Sequence, residues 1–129
     1  MSKNDIIRKK AKEIGFDLIA FTSADPFLKQ RKILQRRKKN NELSKFMSHN
    51  IKMLTTPKEH LDSAKSIISL GISYASSKKG NKDSEYSLSI YTQGYDYHNI
   101  FKEKLFELEK VLKTIKNNLK TKKYVDTAP

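Results

Sequence analysis

A mixed α/β (α+β) domain is what this sequence predicts, on three observations. Residues 6–14 carry apolar side chains at helical spacing and run into a glycine. Two apolar runs, 16–21 and 66–74, are too short for core helices and read as strands. From residue 101 to 119 the apolar positions recur by four and three, the period of a long amphipathic helix. At 129 residues there is room for a single domain, 1–129, with a modest core, since a chain of this size buries roughly two-thirds of its unfolded surface.

In order along the chain, Asn4 or Asp5 can cap a first helix built on Ile6, Ile7, Ala11 and Ile14, with Gly15 at the left-handed C-cap position. Phe16 to Phe21 then reads as a buried strand centred on Leu18, Ile19 and Ala20. Asp25 and Pro26 form an N-cap and first-turn pair for a second helix through Phe27, Leu28, Ile33 and Leu34. Its remainder is basic: Lys29, Arg31, Lys32, Arg36, Arg37, Lys38 and Lys39, with no acid among them. Such a run is either a solvated surface, as charge runs usually are, or a phosphate-tracking face. A short helix with Leu43, Phe46 and Met47 is expected before Pro57, which disfavours helix in the residue ahead of it. Ser66 to Tyr74 reads as a central strand with Ile67, Ile68, Leu70 and Ile72 inward, and Gly71 marks a bulge or the close approach of another group. Residues 75–84 have loop composition and 87–91 follow as a further strand. Phe101, Leu105, Leu108, Leu112, Ile115 and Leu119 define the stripe of the long helix, and Lys123–Asp126 closes the chain as a strand.

Composition narrows the chemistry. There is no cysteine, so this chain supplies no disulfide, thiolate nucleophile or thiolate ligand for zinc or an iron–sulfur cluster. His49, His60 and His98 have no spaced partner, and a metal site is not expected. No long apolar run or secretory signal is present, which fits a cytoplasmic protein with no membrane association. The net charge of +13 points to polyanions such as RNA, because neutralising phosphates releases counterions. Only four of the 27 basic residues are arginine, and arginine is the usual bidentate phosphate reader. A codon bias toward lysine would give the same composition.

Four elements occur in order: Ile14-Gly15-Phe16-Asp17, Ala64-Lys65-Ser66-Ile67-Ile68-Ser69-Leu70, Gly94-Tyr95-Asp96-Tyr97-His98 and Tyr124-Val125-Asp126-Thr127. Together they resemble the N-terminal, cobalamin-binding part of epoxyqueuosine reductase, from about Ile6 to Pro129. The resemblance implies a cobalamin domain like those of nitroreductases and reductive dehalogenases. It also implies a family activity: reduction of epoxyqueuosine to queuosine in tRNA, with cobalamin and two [4Fe–4S] clusters.

By the same resemblance Asp126 matches the aspartate that protonates the epoxide oxygen beside the cofactor. An opening epoxide leaves a strongly basic alkoxide that a positioned carboxylic acid can neutralise. The residues alone equally allow Asp126 to be a capping aspartate. Ser89 matches a cobalamin-contacting position. Tyr97 and His98 fall near the start of the long helix, where backbone N–H groups and aromatic faces suit an anionic or planar substrate, although Asp96 as N-cap and Tyr97 as packing explain them too. Leu54 stands where many members carry a cobalamin-contacting arginine, three residues before the family's proline, here Pro57.

The family continues past this point into a Gly-rich segment, CxxCxxCxxxCP-type cysteine clusters in a ferredoxin-like region, and helical repeats. The expectation is therefore an incomplete fragment, inactive alone, completed by a separate chain that carries the iron–sulfur domain. A small basic RNA-binding module and a nonfunctional gene remnant are the other readings.

Overall fold

The computed structural model describes residues 1–73 and 97–126. Its elements are α1 (Lys3–Ile14), β1 (Leu18–Ser23), α2 (Leu28–Lys39), α3 (Ile51–Thr55), a 3₁₀ turn (Pro57–Glu59), β2 (Ser66–Gly71) and α4 (Tyr97–Ile115), a mixed α/β fold. The loop expected over 75–84 and the strand expected over 87–91 lie outside the described residues. Two compact units divide the chain: Met1–Ala20 with Ser69–Leu119, and Phe21–Ile68 with Lys120–Pro129.

In the first unit, α1 packs on α4. Its N-cap is Ser2, two or three residues before the Asn4 or Asp5 that the sequence suggests: the Asp5 N–H donates to Ser2 Oγ at 3.2 Å. Ser2 returns donors from its backbone N–H and hydroxyl to Asp5 Oδ2 at 3.0 and 2.6 Å. Asp5 is thus the third-position partner of a capping box rather than the cap, and these bonds hold its carboxyl below the ordinary carboxylate range.

At the other end Gly15 is left-handed, with φ 104°. Its N–H reaches Lys12 O at 3.0 Å while Phe16 N–H reaches Ala11 O at 3.0 Å, the paired bonds of a Schellman stop. Ala11 and Phe16 are both buried, and Phe16 meets Phe101 of α4 with ring centroids 6.1 Å apart. Lys104 of α4 donates to Ile14 O at 2.6 Å, satisfying another carbonyl at the helix end.

The two strands pair. Asp17 N–H donates to Gly71 O at 2.9 Å at one end of the ladder and Ala24 N–H to Lys65 O at 3.1 Å at the other, so the partners run in opposite directions and the pair is antiparallel. Leu18 is 72% exposed while Ile19 is buried. β1 therefore alternates instead of forming the continuous buried run expected of Leu18 to Ala20. β2 stops at Gly71, short of the expected Tyr74. Gly71 has the close neighbour that its sequence position suggested: a Cβ there would stand 3.2 Å from Leu18 Cβ.

α4 begins at Tyr97 and stops at Ile115. Leu108 is its buried centre, Phe101, Leu105, Leu112 and Ile115 are half-buried, and Leu119 of the expected stripe falls beyond the helix. Asn118 at φ 61° turns the chain away, a conformation asparagine tolerates better than most residues.

In the second unit α2 packs on α3. The helix does not open at Asp25-Pro26. Phe27 is non-helical and its phenyl offers no cap acceptor; its N–H instead donates to Thr55 O at 2.8 Å, and the helix starts at Leu28. The helix expected around Leu43, Phe46 and Met47 does not form. Phe46 is fully exposed, and the helix lies further on at α3, where Asn50 Oδ1 accepts the Met53 N–H at 3.2 Å. Nor is there a strand at Lys123–Asp126, which is irregular backbone.

Candidate functional site

Thr55 is the most buried side chain of the second unit, 1% exposed. Its hydroxyl donates to Ile51 O at 2.7 Å and accepts from Arg31 Nε at 3.0 Å. Arg31 Nη2 also donates to Thr56 Oγ1 at 2.7 Å. One cation of the basic run thus turns inward and ties α2 to the end of α3, so that every buried polar atom there has a partner. Leu54 lies beside these threonines, half-buried in α3. A guanidinium therefore bonds the residue that follows Leu54, and its Nε and Nη2 donors are committed to threonine hydroxyls.

The carbonyl of Met53 anchors a second chain of contacts. His60 Nε2 lies 2.8 Å from Met53 O; a carbonyl only accepts, so this nitrogen carries the proton. His60 Nδ1 lies 3.2 Å from Tyr124 Oη, and in the neutral ring it accepts the phenol proton. The two rings meet edge to face at 5.6 Å. These contacts fasten the irregular segment 120–126 at a point two residues before Asp126.

Asp126 itself is exposed, on a bend with φ 58°. The expected position at the end of a strand is corrected, since no strand forms. Aspartate is among the few residue types that enter the left-handed region readily. An exposed carboxyl on such a turn can meet an external ligand.

Tyr97 and His98 are the first two residues of α4, in the first unit, half-buried and stacked with ring centroids 4.2 Å apart. Ser89 and Asp96 lie outside the described residues. Among the described residues no three His, Asp or Glu side chains converge as metal ligands, and no helix is long and apolar enough to cross a membrane.

For a corrinoid the described donor set is partial and compatible. Asp126 offers a carboxyl accessible from outside and Leu54 an apolar contact for a ring face, without the charge of an arginine.

His60, Tyr124, Arg31 and Lys104 were not singled out for these roles by the sequence. Apart from the His60 contact to Met53, seven residues back, their partners stand between 24 and 90 residues away, so no local spacing reveals them.

Comparison with known proteins gives a consistent answer. Residues 55–127 match the family model described as Epoxyqueuosine reductase QueG, DUF1730. The epoxyqueuosine reductase of Bacillus subtilis (strain 168) is 40% identical over 124 residues, 91% of this chain and 32% of that protein. That of Staphylococcus aureus is 33% identical, covering 97% of this chain and 34% of that protein. The chain thus spans about a third of the length of these curated relatives.

Among solved structures, an epoxyqueuosine reductase with an epoxyqueuosine-modified tRNA-Tyr stem loop superposes with a TM-score of 0.80 at 34% identity, covering 97% of this chain and 34% of that one. A Bacillus subtilis epoxyqueuosine reductase solved with its catalytic aspartate loop swung out of the active site gives 0.74 at 32% identity, over 89% of this chain and 32% of that one.

Proposed function

Because the chain belongs to the epoxyqueuosine reductase family, we propose that it is the cobalamin-facing N-terminal portion of a cytoplasmic enzyme that reduces epoxyqueuosine to queuosine in tRNA. The observation that carries this reading is similarity along nearly the whole chain, reaching 97% of it against a relative solved with a modified tRNA stem loop. Cobalamin, when bound, supplies the reduced cobalt that the reaction needs at the epoxide carbon.

This chain's own contribution is the acid: Asp126 passes a proton to the epoxide oxygen as the C–O bond breaks, leaving a hydroxyl instead of an alkoxide. Exposure of Asp126 on a left-handed bend suits a residue carried on a movable loop, and the swung-out catalytic loop of the Bacillus subtilis structure supports that comparison. The Tyr124–His60–Met53 contacts fasten the chain two residues before Asp126. Ser89 is proposed to contact the cofactor, and Tyr97 and His98 to offer stacking faces to the substrate base. Leu54 leaves the cofactor without one cationic contact. Electrons must come from another polypeptide segment, because a chain without cysteine cannot ligate the family's clusters by thiolate.

The test is reconstitution with the cysteine-bearing remainder of a relative. Asp126→Asn is expected to lower turnover by about 10²–10⁴-fold, the usual range for loss of a general acid, while leaving the visible spectrum of bound cob(II)alamin perturbed as in the parent. Full turnover by the variant would refute the acid assignment. A cob(II)alamin spectrum unaltered by the unsubstituted chain would refute the cofactor reading and leave the basic RNA-binding reading, which the acid-free cation run of α2 favours.

A further inference from the structure

The outer face of α2 is strongly basic. Seven cations lie in its eleven residues from Lys29 to Lys39, with no acid and no buried residue in the helix. Six of them fall into two sets, with Arg37, exposed, in neither. Arg31 turns toward Thr55 and Thr56, and Lys38 donates to His49 O at 2.9 Å; both belong to the side on which Leu34 is half-buried. Lys29, Lys32, Arg36 and Lys39 follow the spacing i, i+3, i+7, i+10, which places them on one stripe of the helix. All four are exposed, and none has a carboxylate partner among the described residues.

A row of four like charges at helical spacing repels itself, and no acid within α2 relieves it. With a rise of about 1.5 Å per residue the stripe is about 15 Å long. A nucleic-acid strand presents a phosphate roughly every 3 Å of its axis, so several phosphates fit along it. An anionic membrane is the weaker match: the one half-buried apolar residue of α2 is Leu34, on the side of Arg31 and Lys38, and only Leu28 and Ile33 are exposed large hydrophobics on this helix, too few for an apolar insertion face.

We propose that the Lys29–Lys32–Arg36–Lys39 stripe is an RNA-backbone surface that grips the phosphates of the tRNA substrate outside the base-recognition site. This rests on the tRNA reading given above and goes beyond it by naming the surface. The contact is to phosphate oxygens, so it adds affinity and orientation without sequence preference.

The experiment compares the full chain with two variants of equal net charge. One carries Lys29→Gln, Lys32→Gln, Arg36→Gln and Lys39→Gln. The other carries Lys3→Gln, Lys9→Gln, Lys12→Gln and Lys102→Gln, exposed positions on α1 and α4. Glutamine is a good helix former, and circular dichroism checks that both variants fold. Binding of a tRNA stem loop is measured against salt. The α2 variant is expected to lose about three from the slope of log K on log salt, at roughly 0.7–0.9 per phosphate contact, and the control to stay within one of the parent.

Equal slopes in the parent and the α2 variant would overturn the surface assignment while leaving the tRNA reading intact. Absence of salt-dependent binding by the parent would overturn both. Binding to phosphatidylserine vesicles that exceeds binding to the stem loop, and that the α2 variant alone loses, would overturn the RNA assignment in favour of a membrane.

Discussion

Gly15 meets two constraints at once. Its φ of 104° is costly for a residue with a Cβ, and a Cβ there would stand 2.6 Å from Lys104 Nζ, the group that satisfies Ile14 O. Gly15→Ala is therefore expected to destabilise the chain by about 1–2 kcal/mol through backbone strain, and to weaken the lysine contact as well. Thermal unfolding reads the first effect, and amide exchange at the end of α1 reads the second. An unchanged melting temperature would mean that the turn relaxes to a right-handed stop. Tyr124 works in the opposite direction: its phenol reaches 64 residues back to His60, a link that no neighbouring residue announces.

Helix α2 shows what one side chain does for an element. Most of its residues are polar and none is buried, so intrinsic helix propensity and the last-turn cations at Arg36 to Lys39 favour its formation, while attachment depends on Arg31 and Phe27. Arg31→Met keeps the aliphatic length but removes two charge-assisted hydrogen bonds to Thr55 and Thr56. It is expected to cost about 1–2 kcal/mol, toward the lower part of the range for charged hydrogen bonds because Thr55 keeps its bond to Ile51 O. Urea denaturation measures it. A loss no larger than for Lys32→Met on the exposed stripe would show that the guanidinium contributes no attachment. The same bonds explain why the basic run divides into an inward and an outward set, a division that composition does not reveal.

At the scale of the whole molecule, Phe16 and Thr55 are the largest fully buried side chains among the described residues, and each unit has its own small core. Such a chain gains measurably from any ligand that binds only its folded form. Cob(II)alamin at a hundredfold excess over its Kd is expected to add about 2.7 kcal/mol of stability, seen as a raised melting temperature. No shift at any accessible concentration would contradict the cofactor reading independently of turnover.

The amino-acid sequence by itself determined the mixed α/β class, the stop at Gly15, the strand from Ser66 and the apolar stripe of α4, because each rests on patterns within a few residues; at Gly71 it left a bulge or a close approach, and the fold chose the approach of Leu18. It also carried the family motifs: Gly15 and Phe16 build the helix stop, and the Asp17 carboxylate accepts the Ser73 N–H at 2.6 Å. Tertiary structure alone decided the start of α2, the absence of strand at Lys123–Asp126, the inward turn of Arg31 and the tie from Tyr124 to His60. Those choices depend on hydrogen-bond partners brought together by folding from distant parts of the chain, and periodicity along a sequence contains no information about which distant groups will meet.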